Sequence, residues 1–257
     1  MHRERIVRME RLSDDIFRMV LQSGRLTESA KPGQFLNIRC GHSLQAYLRR
    51  PISICDVHAG DGTVDIVFQI RGSGTELLGE MKPGEEADVM GPLGNPFKPV
   101  NPGGSAIVVG GGIGTFPLLY LLRTMPEVKR TALLGFRTAG AVVMAKEFSS
   151  VADCMEIATD DGSLGHHGFV TELLEKRLRT ERPDCVYVCG PMPMMRIVTE
   201  QCIGMGIPVQ VSMEQRMGCG VGACLVCACK KRDGDDFSYT HVCREGPVFD
   251  GRDIVFD

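Results

Sequence analysis

The sequence predicts a multidomain protein in three parts: an N-terminal antiparallel β-barrel, a doubly wound α/β domain and a small C-terminal segment organised by cysteines. Three observations carry this expectation. Short apolar and β-branched runs, separated by turn signals, fill roughly the first hundred residues. Strands alternating with helices follow from Ala106 onward, which is the rhythm of a parallel sheet covered on both faces. Four cysteines, Cys219, Cys224, Cys227 and Cys243, then gather near the end of the chain. The expected boundaries are 1–99, 100–212 and 213–257.

In the first part, strands are expected at 5–12, 16–22, 34–39, 52–57 and 63–70, bounded by turns such as Lys31-Pro-Gly and Ala59-Gly-Asp-Gly. A short helix is expected at 75–81. Pro92, Gly94, Pro96, Pro99 and Pro102 then punctuate a junction between domains. In the second part, strand 106–109 runs through a glycine-rich turn into helix 115–123. Strands 131–136 and 155–159, helix 168–179, strand 185–189, helix 192–204 and strand 208–212 complete the alternation.

Composition narrows the function classes. At 257 residues, 43% hydrophobic and 24% charged, the chain has the make-up of a soluble globular protein. Its net charge of −3 argues against a nucleic-acid partner and against attraction to anionic membranes. The stretch 99–122 carries no charge, but Gly103, Gly104, Gly110, Gly111, Gly112, Gly114 and Pro117 interrupt it, so strand–loop–helix fits better than a membrane span. The charged N-terminus reads as no export leader, and the odd total of eleven cysteines speaks against a disulfide framework. A cytoplasmic location is therefore expected. Cys40, Cys55, Cys154, Cys185, Cys189 and Cys202 are scattered and read as small buried apolar residues.

The C-terminal cysteines carry the sharpest chemical signal. Cys219, Cys224 and Cys227 stand in a C-x4-C-x2-C pattern with Cys243 further on, the spacing of a plant-type [2Fe–2S] site. Glycines between them allow a tight loop whose backbone N–H groups turn toward the sulfurs. Zinc is the competing reading, but its sites ordinarily use two closely spaced cysteine pairs and only one is present here. Cys229 is a nearby fifth thiol, so four ligands are drawn from five candidates. A chain with such a site moves electrons singly.

Two loops have the character of nucleotide sites. Strand 106–109 runs into Gly110-Gly-Gly-Ile-Gly-Thr, where a pyrophosphate can approach the backbone at a helix start. A plain tight turn in an α/β fold is the alternative. Cys189-Gly-Pro occupies the equivalent turn after a later strand, and Asp160-Asp-Gly-Ser lies at a third strand end. In the barrel part, Arg50 offers a charged fork suited to phosphate and Ser53 a short hydroxyl, with Gly72-Ser-Gly-Thr opening the short helix. His166 and His167 read more simply as exposed loop residues, whereas Arg137, after the second strand, fits a contact with a ribose 2′-phosphate and a plain surface arginine equally well.

Taken together these strings resemble the ferredoxin–NADP reductase superfamily: R-P-x-S and then G-x-G-T in a barrel, G-G-x-G opening an α/β domain, and a late C-G-P. The string Glu214-Gln-Arg-Met-Gly-Cys-Gly-Val-Gly-Ala-Cys and the ending Val242-Cys-Arg-Glu-Gly-Pro-Val-Phe-Asp resemble, more narrowly, the electron-transfer subunits of NAD-dependent dihydroorotate dehydrogenases. The resemblance spans essentially the whole chain. It implies an oxidoreductase relay serving pyrimidine biosynthesis. An FMN-containing catalytic subunit oxidises dihydroorotate, and electrons pass through the [2Fe–2S] cluster to FAD and on to NAD+, in a heterotetramer. Carried onto this chain, the resemblance implies that Arg50, Pro51, Ile52 and Ser53 hold FAD, with Arg50 near the pyrophosphate. Val67, Phe68 and Gln69 would line the flavin, and Gly74 and Thr75 would meet its phosphates. Gly111, Gly112 and Gly114, with Cys189, Gly190 and Pro191, would bind NAD, and Cys219, Cys224, Cys227 and Cys243 would ligate the iron. No catalytic acid or base is implied. Phe68-Gln69 stands where relatives often have Tyr-Arg, and Phe116 where the pattern has a small residue or Pro. The competing functions are a related NAD(P)H reductase serving a ferredoxin, hydrogenase or sulfide partner, and a non-catalytic redox adaptor.

Overall fold

A computed structural model describes residues 2–41 and 46–256; Met1, the stretch 42–45 and Asp257 lie outside the described residues. The first six strands are β1 (His2–Arg11), β2 (Ile16–Gln22), β3 (Phe35–Ile38), β4 (Arg50–His58), β5 (Thr63–Gln69) and β6 (Glu86–Leu93). They close an antiparallel barrel in the order β1-β2-β5-β4-β3-β6. Alternate residues fill its interior, Leu36 and Ile38 on β3 and Val64 and Ile66 on β5 among them, as the two-residue period of a strand requires. Helix α1 (Gly24–Ser29), capped by Ser23 whose hydroxyl accepts from the Leu26 N–H, and α2 (Ser73–Gly79) each drop one leucine, Leu26 and Leu78, into that core.

The remaining strands up to β12 form most of a parallel sheet: β7 (Ser105–Gly111), β8 (Lys129–Phe136), β9 (Cys154–Thr159), β10 (His166–His167), β11 (Cys185–Cys189) and β12 (Val209–Ser212). Its full order is β10-β9-β8-β7-β11-β12-β15, the edge strand β15 being Val248–Asp250. Every central strand is buried on both faces. Ile107 and Val109 of β7 and Val186 and Val188 of β11 pack toward α5 (Val170–Leu178) and α6 (Met192–Gly204). Ala106, Val108, Cys185 and Tyr187 pack toward α3 (Phe116–Arg123) and α4 (Ala145–Ser149). The chain runs outward from β7 to β10 and returns to β11 beside β7, so the strand order reverses between these two. In such sheets, the strand C-termini at the reversal form a natural crevice.

Barrel and sheet are joined by a continuous interface. Helix α3 packs on β4, and its last residue, Arg123, donates through Nε to Asp56 Oδ2 at 2.6 Å. Arg18 of β2 pairs with buried Asp65 and reaches Glu147 of α4 at 3.8 Å. Phe97 meets Tyr187 edge to face with centroids 5.6 Å apart, and Tyr187 donates to the Lys98 carbonyl at 2.9 Å.

The C-terminal segment holds a hairpin, β13 (Ala228–Asp233) with β14 (Asp236–His241), and then β15 (Val248–Asp250). Strand β15 pairs antiparallel with β12 and closes the edge of the α/β sheet. The cysteine segment is therefore interleaved with the middle layer. Its last strand belongs to that layer's sheet, and Cys227, Cys229 and Cys243 share a core with Val209 and Val211. Among the described residues, no helix is long and apolar enough to cross a membrane.

Candidate functional site

A cleft of about 930 Å³ lies between the barrel and the parallel sheet. One wall comes from β4, where Arg50, Pro51, Ile52 and Ser53 all border it, and from Val67, Phe68 and Gln69 of β5. The opposite wall is made by Ile113, Gly114 and Pro117 after β7 and by Cys189 at the end of β11. The cleft thus opens at the strand reversal. Residues distant in sequence meet here because β4 lies between β3 and β5 in the barrel, while β7 and β11 are neighbours in the sheet.

Arg50 is held in place from two sides. Its Nη1 donates to the Leu48 carbonyl at 2.6 Å, and its guanidinium lies so close over Gly74 that a Cβ there would come within 2.6 Å of Arg50 Nε. Gly74 is therefore the residue that lets the charged fork rest on the first turn of α2. The Thr75 hydroxyl borders the cleft but already accepts from the Arg71 N–H at 2.8 Å and donates to the Gly72 carbonyl at 3.0 Å. It stiffens the turn. Along β5 the side chains divide: Phe68 turns its ring into the barrel, with its centroid 6.0 Å from that of Phe17, and Gln69 donates to Asp15 while accepting from Arg71 Nε at 2.7 Å.

The two expected nucleotide loops abut each other. Cys189 pairs with Gly110 across β11 and β7. A Cβ at Gly114 would lie 2.6 Å from the Cys189 carbonyl oxygen, and one at Gly111 would lie 2.8 Å from the Pro191 ring. These two glycines serve loop-to-loop approach, whereas Gly112 faces open space with nothing within 4 Å of an added Cβ. Of these loops, Gly114 and Cys189 line the cleft, whereas Gly111, Gly112, Gly190 and Pro191 do not. Burial pushes the Cys189 thiol up to about 12, so it stays protonated at neutral pH.

The cysteine loop between β12 and β13 is wound around its sulfurs. Val221, Ala223 and Cys224 donate backbone N–H groups to Cys219 Sγ at 3.4, 3.2 and 3.4 Å. The Cys219 N–H reaches Cys224 Sγ at 3.3 Å, the Gly222 N–H reaches Cys243 Sγ at 3.1 Å, and the Cys243 N–H reaches Cys227 Sγ at 3.4 Å. Such a wrap needs left-handed backbone at Gly220 (φ +75°) and Gly222 (φ +81°), where glycine is the residue without strain. The N–H donors, that of Val221 foremost, bring the Cys219 thiol down to about 6, while burial raises that of Cys243 to about 12. N–H groups aimed at sulfur offset negative charge, so the donor set suits thiolates shared over two irons. Backbone N–H groups tie the cysteines in pairs, that of Cys219 to the Cys224 sulfur and that of Cys243 to the Cys227 sulfur. Cys229 receives none of these N–H groups. It lies on β13 opposite Thr240, is packed in the apolar core, and has its thiol raised to about 11 by burial.

Some residues of this region escaped sequence reasoning. Phe35 and Ser212 border the cleft, as do Glu214 and Met217 of the string singled out above, and Asn37 links the barrel to the cysteine loop. The places of Phe35 and Asn37 depend on β3 pairing with β4, which no local string announces.

Comparison with known proteins places this geometry in context. Residues 214–255 match the family model described as the iron-sulfur cluster binding domain of dihydroorotate dehydrogenase B. The chain is 42% identical over 238 residues to the dihydroorotate dehydrogenase B (NAD(+)) electron transfer subunit of Bacillus caldolyticus, covering 91% of this chain and 90% of that one. It is 38% identical over 248 residues to the corresponding subunit of Desulforamulus reducens, covering 96% and 95%. Among solved structures, that of an NADH-dependent reduced ferredoxin-NADP oxidoreductase, described in connection with flavin-based electron bifurcation, superposes with a TM-score of 0.87. That match has 30% identity and covers all of this chain and 91% of the other. The cytochrome b5 reductase domain of Ulva prolifera nitrate reductase shares the fold, with a TM-score of 0.65 at 17% identity over 80% and 93% of the two chains. The wrapped cysteine loop, the cleft at the strand reversal and these likenesses lead to one assignment: the chain belongs to the family of electron transfer subunits of NAD(+)-dependent dihydroorotate dehydrogenase B.

Proposed function

We propose that this chain is the conduit through which electrons released by dihydroorotate oxidation on an FMN-bearing catalytic partner reach NAD+. The observation that carries the reading is the cysteine loop, with six backbone N–H groups turned onto four sulfurs, seated beside a cleft that joins a barrel to a glycine-loop sheet. In this reading residues 1–99 hold FAD, 100–212 hold NAD and 213–257 hold a [2Fe–2S] cluster. When bound in this cleft, a flavin would supply the conversion between two-electron hydride chemistry and single-electron transfer, which a cluster alone does not perform.

The chain's own residues bind, orient and insulate. Arg50, fixed over Gly74, supplies a charged fork for the flavin pyrophosphate. Pro51, Ile52 and Ser53, with Val67, Phe68 and Gln69, form the wall that receives the ring system, and Thr75 holds the turn that follows. Gly112 leaves the backbone open to an approaching NAD phosphate, while Gly111 and Gly114 let the Cys189-Gly190-Pro191 turn close against it. The neutral Cys189 thiol is a compact wall for the nicotinamide that introduces no charge. Cys219, Cys224, Cys227 and Cys243 are the iron ligands. Cys224 is exposed and flanked by the exposed side chains Val221, Leu225 and Val226, which supports docking of the partner at this edge. The partnership would be a heterotetramer in the cytoplasm, with neither nucleic acid nor membrane involved.

The test is co-purification with the catalytic subunit encoded in the same genome, followed by a coupled assay. Orotate and NADH appearing together, dependent on dihydroorotate and on both chains, is the expected result. A holo-flavoprotein that oxidises NADH yet never couples to dihydroorotate, and instead exchanges electrons with a ferredoxin, would overturn the assignment of the donor.

A further inference from the structure

Strand β3 sits where the barrel, the cleft and the cysteine loop meet. Leu36 and Ile38 point into the barrel core, so Phe35 and Asn37 point outward. Phe35 borders the cleft, and Asn37 lies opposite Pro51, another cleft residue, across the β3–β4 pair. Asn37 is 1% exposed. Its Nδ2 donates to the backbone carbonyl of Cys219 at 3.3 Å, across a separation of 182 residues in sequence. That acceptor also settles the orientation of the carboxamide, since the reversed group would set oxygen against oxygen.

Two further features mark the contact as built. Gly220, next to Cys219, has φ +75°, and a Cβ there would lie 2.5 Å from Asn37 Nδ2. The loop can therefore approach the carboxamide this closely only with glycine at that position. On the other side, Asn37 Oδ1 is buried without a hydrogen-bond partner among the described residues. An orphaned buried acceptor costs roughly 1–3 kcal/mol, a cost that one ordered water behind the β3–loop contact would offset.

We propose that Asn37 is a positioning residue that fixes the cluster loop against the flavin-bearing face of the barrel and so provides the electronic contact between the two groups. The route runs from Cys219 through its carbonyl and the Asn37 side chain into β3, and from there across the strand pair to Pro51. This rests on the reading above, in which the cleft holds FAD and the loop holds the cluster.

The experiment is anaerobic stopped-flow reduction of the purified holoprotein by NADH, with flavin and cluster followed at separate wavelengths and the cluster also by freeze-quench EPR. Each NADH is oxidised to NAD+ as its hydride reduces the flavin by two electrons. One electron then reduces the oxidised cluster and the flavin retains the other. Asn37→Leu keeps the side-chain size and removes the donor. The expected result is full iron, sulfide and FAD content and an unchanged rate of flavin reduction, with cluster reduction slowed roughly 10- to 100-fold, the scale on which slight misplacement of reacting groups acts. A merely structural role would not separate the two phases in this way.

Cluster reduction at the wild-type rate in fully loaded Asn37→Leu would overturn the proposal. Should that variant lose iron, Asn37→Ser, whose hydroxyl is too short to reach Cys219, is read out in the same way. Loss of the cluster from both variants would make Asn37 a clasp for the loop and overturn its part in electron transfer. A wild-type protein that binds neither iron nor flavin would overturn the cofactor reading itself, an outcome visible before any variant is made.

Discussion

At the scale of single residues, the site separates positions that hold a ligand from positions that let others do so. Cys224 is the most exposed of the four cysteines on which the loop's N–H groups converge, and Cys229 is the thiol best placed by sequence to replace one of them. Because Cys229 is buried on β13 away from those N–H donors, Cys224→Ala is expected to abolish cluster absorbance while NADH-dependent dye reduction from the flavin persists. Iron and sulfide analysis alongside the visible spectrum checks this, and a retained cluster would show that Cys229 substitutes. Arg50→Ala removes the charged fork over Gly74 and is expected to weaken FAD retention about 10-fold or more, by analogy with the loss of a charge-assisted contact worth roughly 1.5–3 kcal/mol. Flavin released on gel filtration measures it; unchanged flavin content would remove Arg50 from the binding site. Gly114→Ala acts differently, by forcing a Cβ to within 2.6 Å of the Cys189 carbonyl. It is expected to raise KM for NADH, and to destabilise the fold by about 1–3 kcal/mol through overpacking.

At the scale of elements, what could be read from sequence and what could not follow from how local each signal is. Strands β7, β8, β9, β11 and β12 of the α/β layer were legible because each is a short continuous apolar run followed by a turn or helix, whereas the two polar residues of β10, His166 and His167, were read as loop and form a strand only by pairing with β9. Strand β6 was not. Its buried alternation lasts only through Ala87 and Val89 before Gly91 and Pro92 intervene, so it reads as the start of a junction, and only its place between β1 and β3 makes it a strand. Helix α1 buries one residue, Leu26, and α4 buries one, Phe148; neither offers the helical stripe that periodicity detects. Strand β15 has three residues and exists through its pairing with β12. The glycine loops and the cysteine pattern were legible as strings, whereas Asn37 needed the fold. The junction of barrel and sheet was equally hidden, since Arg18, Asp56, Asp65, Arg123 and Glu147 come from five separate elements. Asp65 is fully buried, with Arg18 and, at 3.1 Å, His58 Nε2 as its partners. Arg18→Met is therefore expected to cost about 3 kcal/mol, because removing one member of a buried pair strands the other charge. Urea denaturation of the holoprotein measures this, and a loss under about 1 kcal/mol would show that His58 or solvent compensates.

At the scale of the whole molecule, the buried thiols outside the cluster loop impose a pH limit. Cys202 is fully buried and Cys185 is 4% exposed. Burial, the dominant cause in both cases, raises the Cys185 thiol to about 11 and the Cys202 thiol to about 12. In the unfolded chain the same groups ionise near 8.5–9. Below that range both states hold the proton and these thiols leave stability unchanged. Between about pH 9 and 11 the unfolded state binds fewer protons than the native one, so the free energy of unfolding falls as pH rises. The maximum slope is about 1.4 kcal/mol per pH unit for each thiol. A Cys185→Ala/Cys202→Ala double variant starts from lower stability, because it leaves small cavities, but it lacks this alkaline loss. Denaturation midpoints at pH 7.5 and 10, measured under reducing, anaerobic conditions, are expected to fall further for the wild type. The difference between the two proteins should amount to about 2–3 kcal/mol. Lysines, bound cofactors and the tyrosines other than Tyr187, whose hydroxyl adjoins Cys185, contribute equally to both and cancel in the comparison. Parallel pH dependences would mean that Cys185 and Cys202 reach water in the native state, and that the two apolar layers flanking the sheet are looser than their packing indicates.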